Sequence, residues 1–157
     1  MENKSNPALA ILLLGTKMAT GGAQKVLLDQ ANWFHQRGHK VFAVFIYDNE
    51  GPQSMWAAGR DFPVIDLKAY QKKKSGILNV VLLCRGLFSL WKLIRREKID
   101  VIETFTHDSN MLALPISWLA RVPVWTAIPN LKIVVKCGKV LVTHGKTYTP
   151  KPDAALS

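Results

Sequence analysis

The chain has 157 residues, 48% of them hydrophobic, with a mean hydropathy of +0.07. That length favours one domain, and the apolar fraction excludes intrinsic disorder. Cys84 and Cys137 are far apart and form no C-x-x-C pair, so they read as two free thiols rather than a disulfide framework or zinc knuckle. The formal charge of +10 is local: residues 1–67 are neutral, residues 68–98 carry +8, and residues 131–157 carry +4. Such a patch points to an anionic partner.

Ala8–Leu14 is an apolar run of about seven residues, short for a signal-peptide core, and no small-x-small cleavage site follows. Leu9–Leu14 reads instead as a first strand buried on both faces, because it is continuous rather than alternating. Residues 15–22 form a loop. Ala23, Leu27, Ala31 and Phe34 then recur at helical spacing up to Arg37, and Gly38 stands where a helix C-cap takes positive φ. Lys40–Tyr47 is β-branched and aromatic, predicting a second strand, and Val64–Leu67 a short third one after a loop over 48–63.

A long helix is expected from about Gly76 to Glu97. Asn79, Arg85 and Lys92 interrupt its apolar stretch, so it falls short of the roughly 18 uncharged residues of a membrane span. Val101–Phe105 predicts a fourth strand, Asn110–Arg121 a helix interrupted by Pro115, and Val124–Ile128 a fifth strand. This alternation implies an α/β fold, a doubly wound parallel sheet with helices on both faces. Residues 1–131 form the domain. Residues 132–157 read as an incomplete or loose basic tail with at most one strand, Val140–Thr143.

Three segments could carry chemistry. The loop ending in Gly21 and Gly22 opens into a helix, whose free N–H groups suit an anion and whose glycines let backbone approach a phosphate; a plain tight turn explains the same residues. Thr106, His107 and Asp108 lie just past strand four, facing the same crevice, although Asp108 or Ser109 could simply cap the next helix. Arg85, Ser89, Lys92 and Arg96 stack as one polar stripe on the long helix, with Arg95 beside it, Lys72, Lys73 and Lys74 just before it, and Trp91 among its leucines. That composition suits contact with an anionic membrane surface, and equally a core helix with a solvated basic face. No recognition motif supports nucleic acid, and no histidine spacing supports a metal. G-x-G-x-x-G is absent, and Val140 stands where the phosphate-binding G-x-x-x-x-G-K-[ST] pattern ahead of Lys146 needs glycine.

Gly21-Gly22-Ala23-Gln24-Lys25-Val26-Leu27-Leu28-Asp29 and the later Arg37-Gly38-His39-Lys40-Val41 resemble the opening of the family 4 glycosyltransferases. Ile99-Asp100-Val101-Ile102-Glu103-Thr104, Asn110-Met111-Leu112, Leu119-Ala120-Arg121-Val122-Pro123-Val124 and Asn130 are similar to a later segment of the same family, in the same order. Glu103 and Phe105 stand where the family usually has histidines. The resemblance implies one of the two Rossmann-like domains of a GT-B enzyme, the N-terminal, acceptor-side half. It implies a retaining transferase moving a hexose from a nucleotide-sugar to a polysaccharide or glycolipid acceptor, without metal or other cofactor. Gly21 and Gly22 would lie against the donor diphosphate and acceptor, with Thr106, His107, Asp108 and Asn130 lining the acceptor side. The paired-glutamate motif of the donor domain is absent from these residues. The expected partners are therefore nucleotide-sugar, a glycan or lipid-linked acceptor, and a missing donor domain or partner chain, with the protein cytoplasmic and peripheral at the inner face of the membrane. The alternatives are a non-catalytic membrane-docking subunit that recruits a separate donor-binding chain, or a truncated fragment without activity.

Overall fold

The computed structural model describes residues 8–18, 22–48, 59–71, 76–128, 131–136 and 139–143. In chain order they form β1 (Ala10–Met18), α1 (Gly22–Gln36), β2 (Lys40–Asp48), β3 (Val64–Asp66), α2 (Gly76–Arg96), β4 (Val101–Thr104), α3 (His107–Ala120), β5 (Val124–Ile128), β6 (Leu131–Lys136) and β7 (Lys139–Thr143). One sheet runs in the order β3-β2-β1-β4-β5-β6-β7. Its first five strands are parallel, while β6 and β7 add as antiparallel neighbours.

The continuous apolar run in β1 has the physical cause expected of it. Ala10, Leu12 and Leu14 pack with Leu90, Leu93 and Ile94 of α2 and Ala113, Ile116 and Ala120 of α3. The alternate residues Ile11 and Leu13 pack with Leu27, Leu28 and Ala31 of α1 on the opposite face. A strand sandwiched between helix layers has no polar side to show. Helix α1 ends as anticipated, with Gly38 at φ 82°.

Three boundaries differ from the sequence expectation. Strand β1 continues four residues into the expected loop, because the nine-residue β2 offers it a partner as far as Lys17↔Tyr47 and Met18↔Asp48. Helix α3 begins at His107 rather than Asn110, and Pro115 sits inside it without dividing it. The segment 131–143 holds two strands where one was expected, since β6 can turn back along β5 and then carry β7. Residues 144–157 of the expected tail lie outside the described residues, as does Cys137; Cys84 is free and exposed.

Helix α2 also needs a correction. It has 21 residues, and an 18-residue stretch within it reaches a mean hydropathy of 1.8, which is long and apolar enough to cross a membrane by length and composition alone. The count of interrupting polar residues underrated this. One side of it, Gly86, Leu90, Leu93 and Ile94, is nevertheless buried against the sheet.

Candidate functional site at the carboxyl ends of β1 and β4

The strand order reverses at β1: the chain runs outward through β2 to β3, then returns to place β4 on the other side of β1. From β1 it leaves toward α1 on one face of the sheet, and from β4 toward α3 on the other. With α1 and α3 on opposite faces, a crevice lies at the carboxyl ends of β1 and β4, which in doubly wound sheets is where ligands bind. A small cavity occupies this position, lined by Gly15, Thr16, Lys17, Ala23, Gln24, Leu27, Phe45, Phe105 and Thr106.

Close approach shapes its floor. A Cβ on Gly15 would lie 2.9 Å from the Phe45 ring and 3.0 Å from Leu27 Cδ1, so a side chain there would push α1 away from the sheet. On one wall Gln24 Nε2 donates to the Lys17 carbonyl at 2.9 Å, tying the first turn of α1 to the end of β1. That first turn carries no acidic residue, so its N–H groups keep their partial positive charge toward the crevice.

The opposite wall is the start of α3. Thr106 is its N-cap, with φ −132° and ψ 156°, and Ser109 occupies the third helical position. The Thr106 N–H donates to Ser109 Oγ at 3.1 Å, and Ser109 Oγ donates to the Thr106 carbonyl at 2.8 Å. With its proton so used, Ser109 accepts from Thr106 Oγ1 at 2.8 Å. Thr106 Oγ1 has then spent its own proton, so the hydrogen bond between Thr16 Oγ1 and Thr106 Oγ1 has Thr16 as donor. The Thr16 oxygen is left as an acceptor on the crevice wall. Beneath, the fully buried Thr104 hydroxyl donates to Asn110 Oδ1, and Gln30 Nε2 of α1 donates to Glu103 Oε1 at 2.8 Å.

Of the substrate-side residues named from sequence, Thr106 lines the crevice and Gly22 begins α1 beside Ala23. Asp108 is exposed in the first turn of α3 and is not the cap; Thr106 takes that place because Ser109 is correctly spaced to answer it. Gly21 and Asn130 lie outside the described residues, and of His107 only the backbone is described. Thr16 and Lys17 belong to the loop, and Phe105 to the segment past strand four, that the sequence singled out, although none was assigned a role there; Gln24 and Phe45 were missed. The length of β2 was the usable signal, since it requires β1 to reach Lys17. Among the described residues, no group of three or more His, Cys, Asp or Glu gathers as metal ligands would.

On the basic helix, Arg85, Lys92, Arg95 and Arg96 are exposed, while Lys72, Lys73 and Lys74 lie outside the described residues. Trp91 turns inward: it packs against the core, its ring 5.8 Å from Phe88, and its buried Nε1 has no hydrogen-bond partner among the described residues.

The family model of the glycosyl transferase 4-like domain matches residues 21–152. The chain belongs to this family. No curated protein matches it. Among solved structures it is similar to MurG of Acinetobacter baumannii, with a TM-score of 0.58 and 14% identity over 75% of this chain and 34% of that one. It is similar also to Anabaena Alr3699/HepE in complex with UDP-glucose, at 0.54 and 20% identity over 75% of this chain and 28% of that one. The C-terminal domain of the PF1911 hydrogenase from Pyrococcus furiosus matches at 0.53 and 12% identity, over 78% of this chain and 93% of that one. Identities this low show a shared Rossmann-like fold, and the hydrogenase domain illustrates that fold alone does not fix activity. The chain thus spans about a third of the MurG and HepE chains it matches.

Proposed function

We propose that this domain is the acceptor-binding half of a retaining glycosyltransferase, which moves a hexose from a nucleotide-sugar to a polysaccharide or glycolipid acceptor without a metal. The observation that carries the reading is the crevice between β1 and β4 in a chain of this family. HepE, of similar fold, was crystallised with UDP-glucose, which supports a nucleotide-sugar as the donor class.

In this reading the main catalytic contribution is electrostatic. Charge develops on the departing nucleotide diphosphate, and the N–H groups of Gly21 and Gly22 at the start of α1 help to stabilise it. Thr106, His107, Asp108 and Asn130 face the acceptor. A donor-binding domain, on the same or a partner chain, supplies the remainder of the site. The domain works at the inner, cytoplasmic face of a membrane, held peripherally by the exposed Arg85, Lys92, Arg95 and Arg96 of α2.

The test is a titration of the ¹⁵N-labelled chain with UDP-glucose and with glycans, followed by amide shifts. Shifts at Gly22, Ala23 and Thr106, with no sugar transfer by the chain alone, are expected. Transfer by the pure chain would overturn the half-site reading; an unresponsive crevice would overturn the substrate reading. A second reading, a non-catalytic docking subunit for a separate donor-binding chain, is favoured by one observation: only 22% of the apolar stretch of α2 is buried. It expects membrane binding with no response of the crevice.

A further inference from the structure

The two edges of the sheet are built differently. At one end β3 is three residues long, preceded by Pro63 and closed by Asp66, and shortness, proline and charge all keep an edge from pairing. At the other end β7 spans five residues, and from Val140 to Thr143 it holds neither proline nor charge. Val140, Val142 and Thr143 are β-branched, which favours an extended strand. Among the described residues, nothing pairs with the outer edge of β7.

The register with β6 tells which backbone groups face that edge. Lys136 and Lys139 pair across a connection of two residues. A two-residue hairpin closes on a pair that exchanges both N–H···O bonds, and such pairs alternate along an antiparallel ladder. Lys139, Leu141 and Thr143 therefore bond inward, to their partners Lys136, Val134 and Lys132. Val140 and Val142 turn their N–H and C=O groups outward.

A second copy of β7 fits those groups in one register. Antiparallel alignment centred on Leu141 sets Val140 opposite Val142 of the second copy, and Val142 opposite its Val140, so every outward N–H and C=O of both strands is bonded. It also sets Lys139 opposite Thr143, so no lysine meets a lysine. Centring on Val140 or Val142 instead carries the pairing past the end of the strand and leaves outward groups unmet. The net charge of +10 does not oppose this arrangement. The cations of α2 belong to a helix packed on β1 and β2, and β7 lies four strands beyond β1, roughly 19 Å at the usual strand spacing. In the joined sheet the two copies of α2 stand about twice that distance apart, several Debye lengths at physiological salt.

We infer that β7 is a self-association edge, through which two copies join their sheets about a two-fold axis at Leu141. Strand β7 runs in the direction of β1, since it is two antiparallel steps from β5. The crevices of the two copies therefore open at opposite ends of the joined sheet, and neither blocks the other. Five residues a side make a small interface, so the dimer is weak and forms with rising concentration.

Sedimentation of the full chain over a range of concentrations should show a monomer–dimer equilibrium with no larger species, because pairing uses up the edge. Val142→Pro removes an outward N–H that β6 does not use, and should stay monomeric with an unchanged circular dichroism spectrum. The register is read by crosslinking with oxidised glutathione in a Cys84→Ser/Cys137→Ser background. Leu141→Cys meets its own copy at about 4.5 Å between Cα atoms, within disulfide reach, whereas Val140→Cys lies opposite Val142. Leu141→Cys should therefore crosslink at least about 10-fold faster than Val140→Cys. Should Val142→Pro fail to fold, the crosslinking comparison decides alone. A chain that is monomeric at every concentration, with the two cysteine variants crosslinking alike, overturns the inference. A dimer that persists in folded Val142→Pro also overturns it, by assigning the association to another surface.

Discussion

Thr16, near the end of β1, and Thr106, the N-cap of α3, are joined hydroxyl to hydroxyl across the crevice. The bond links the two segments that diverge at the switch of strand order, so it sets the spacing of the crevice walls. Thr16→Val keeps the β-branched shape and removes the donor, while Thr16→Ser keeps the donor. The valine variant should lose about 1 kcal/mol of stability, the usual net worth of such a bond, and the serine variant much less. Denaturant unfolding of the three proteins checks this. Equal stability of the valine variant and the unaltered chain would show that the bond does not hold the walls together.

Gly86 sets how closely α2 approaches the sheet. A Cβ built there would lie 2.5 Å from Ala69 Cβ and 3.3 Å from Ala69 Cα. Ala69 cannot give way easily, because its N–H is bonded to the Ile46 carbonyl at 2.9 Å. In an isolated helix, alanine in place of glycine gains about 1 kcal/mol. Here the clash should win, and Gly86→Ala should destabilise by about 1–3 kcal/mol, with Gly86→Val worse. Thermal melting decides the sign. A rise in Tm for Gly86→Ala would mean that α2 sits farther from the Ala69 segment.

Glu97, just past α2, titrates below its ordinary value of 4.5, mainly through the hydrogen bond from Lys40 and then that from Arg96. The bonds are 2.8 Å from Lys40 Nζ and 2.7 Å from Arg96 Nε. A carboxylate with a lowered folded-state pKa adds stability above its unfolded value, and this is lost as pH falls through the folded value. Glu97→Gln should therefore lower stability at neutral pH slightly and have no further effect at acid pH, since the group is at the surface. Urea unfolding of both proteins across that range should give curves that converge on acidification. Parallel curves would show that the ion pairs contribute nothing.

The sequence disclosed the fold because its signals were local and mutually consistent. The unbroken apolar run of β1 suited a strand covered twice better than a signal-peptide core, and the spacing of Ala23, Leu27 and Ala31 suited one face of a helix. The crevice was legible in position but not in membership. Gly22, Thr106 and the loop holding Thr16 and Lys17 follow from reading what comes after a parallel strand, whereas that Thr16 and Lys17 are themselves strand residues depends on how far β2 extends, a fact about pairing rather than about their own neighbourhood. Trp91 shows the limit of composition. Its place among basic and apolar residues suggested a lipid contact, but helical phase turns it toward the core and leaves Met111 and Trp118 of the next helix outermost. A hydrophobic residue carries no mark of which apolar surroundings it will meet.

The two walls of the crevice come from parts of the chain 90 residues apart, as the Thr16–Thr106 separation records. Everything between them, α1, β2, β3 and α2, can form through nearer contacts, whereas the crevice exists only once β4 has returned to lie beside β1. Closing so long a loop is slow relative to local structure. The crevice is thus expected among the last features to assemble, and during synthesis β1 waits with one edge unpaired until β4 emerges. An edge left open in that interval is the part of the nascent domain most exposed to pairing with a stranger.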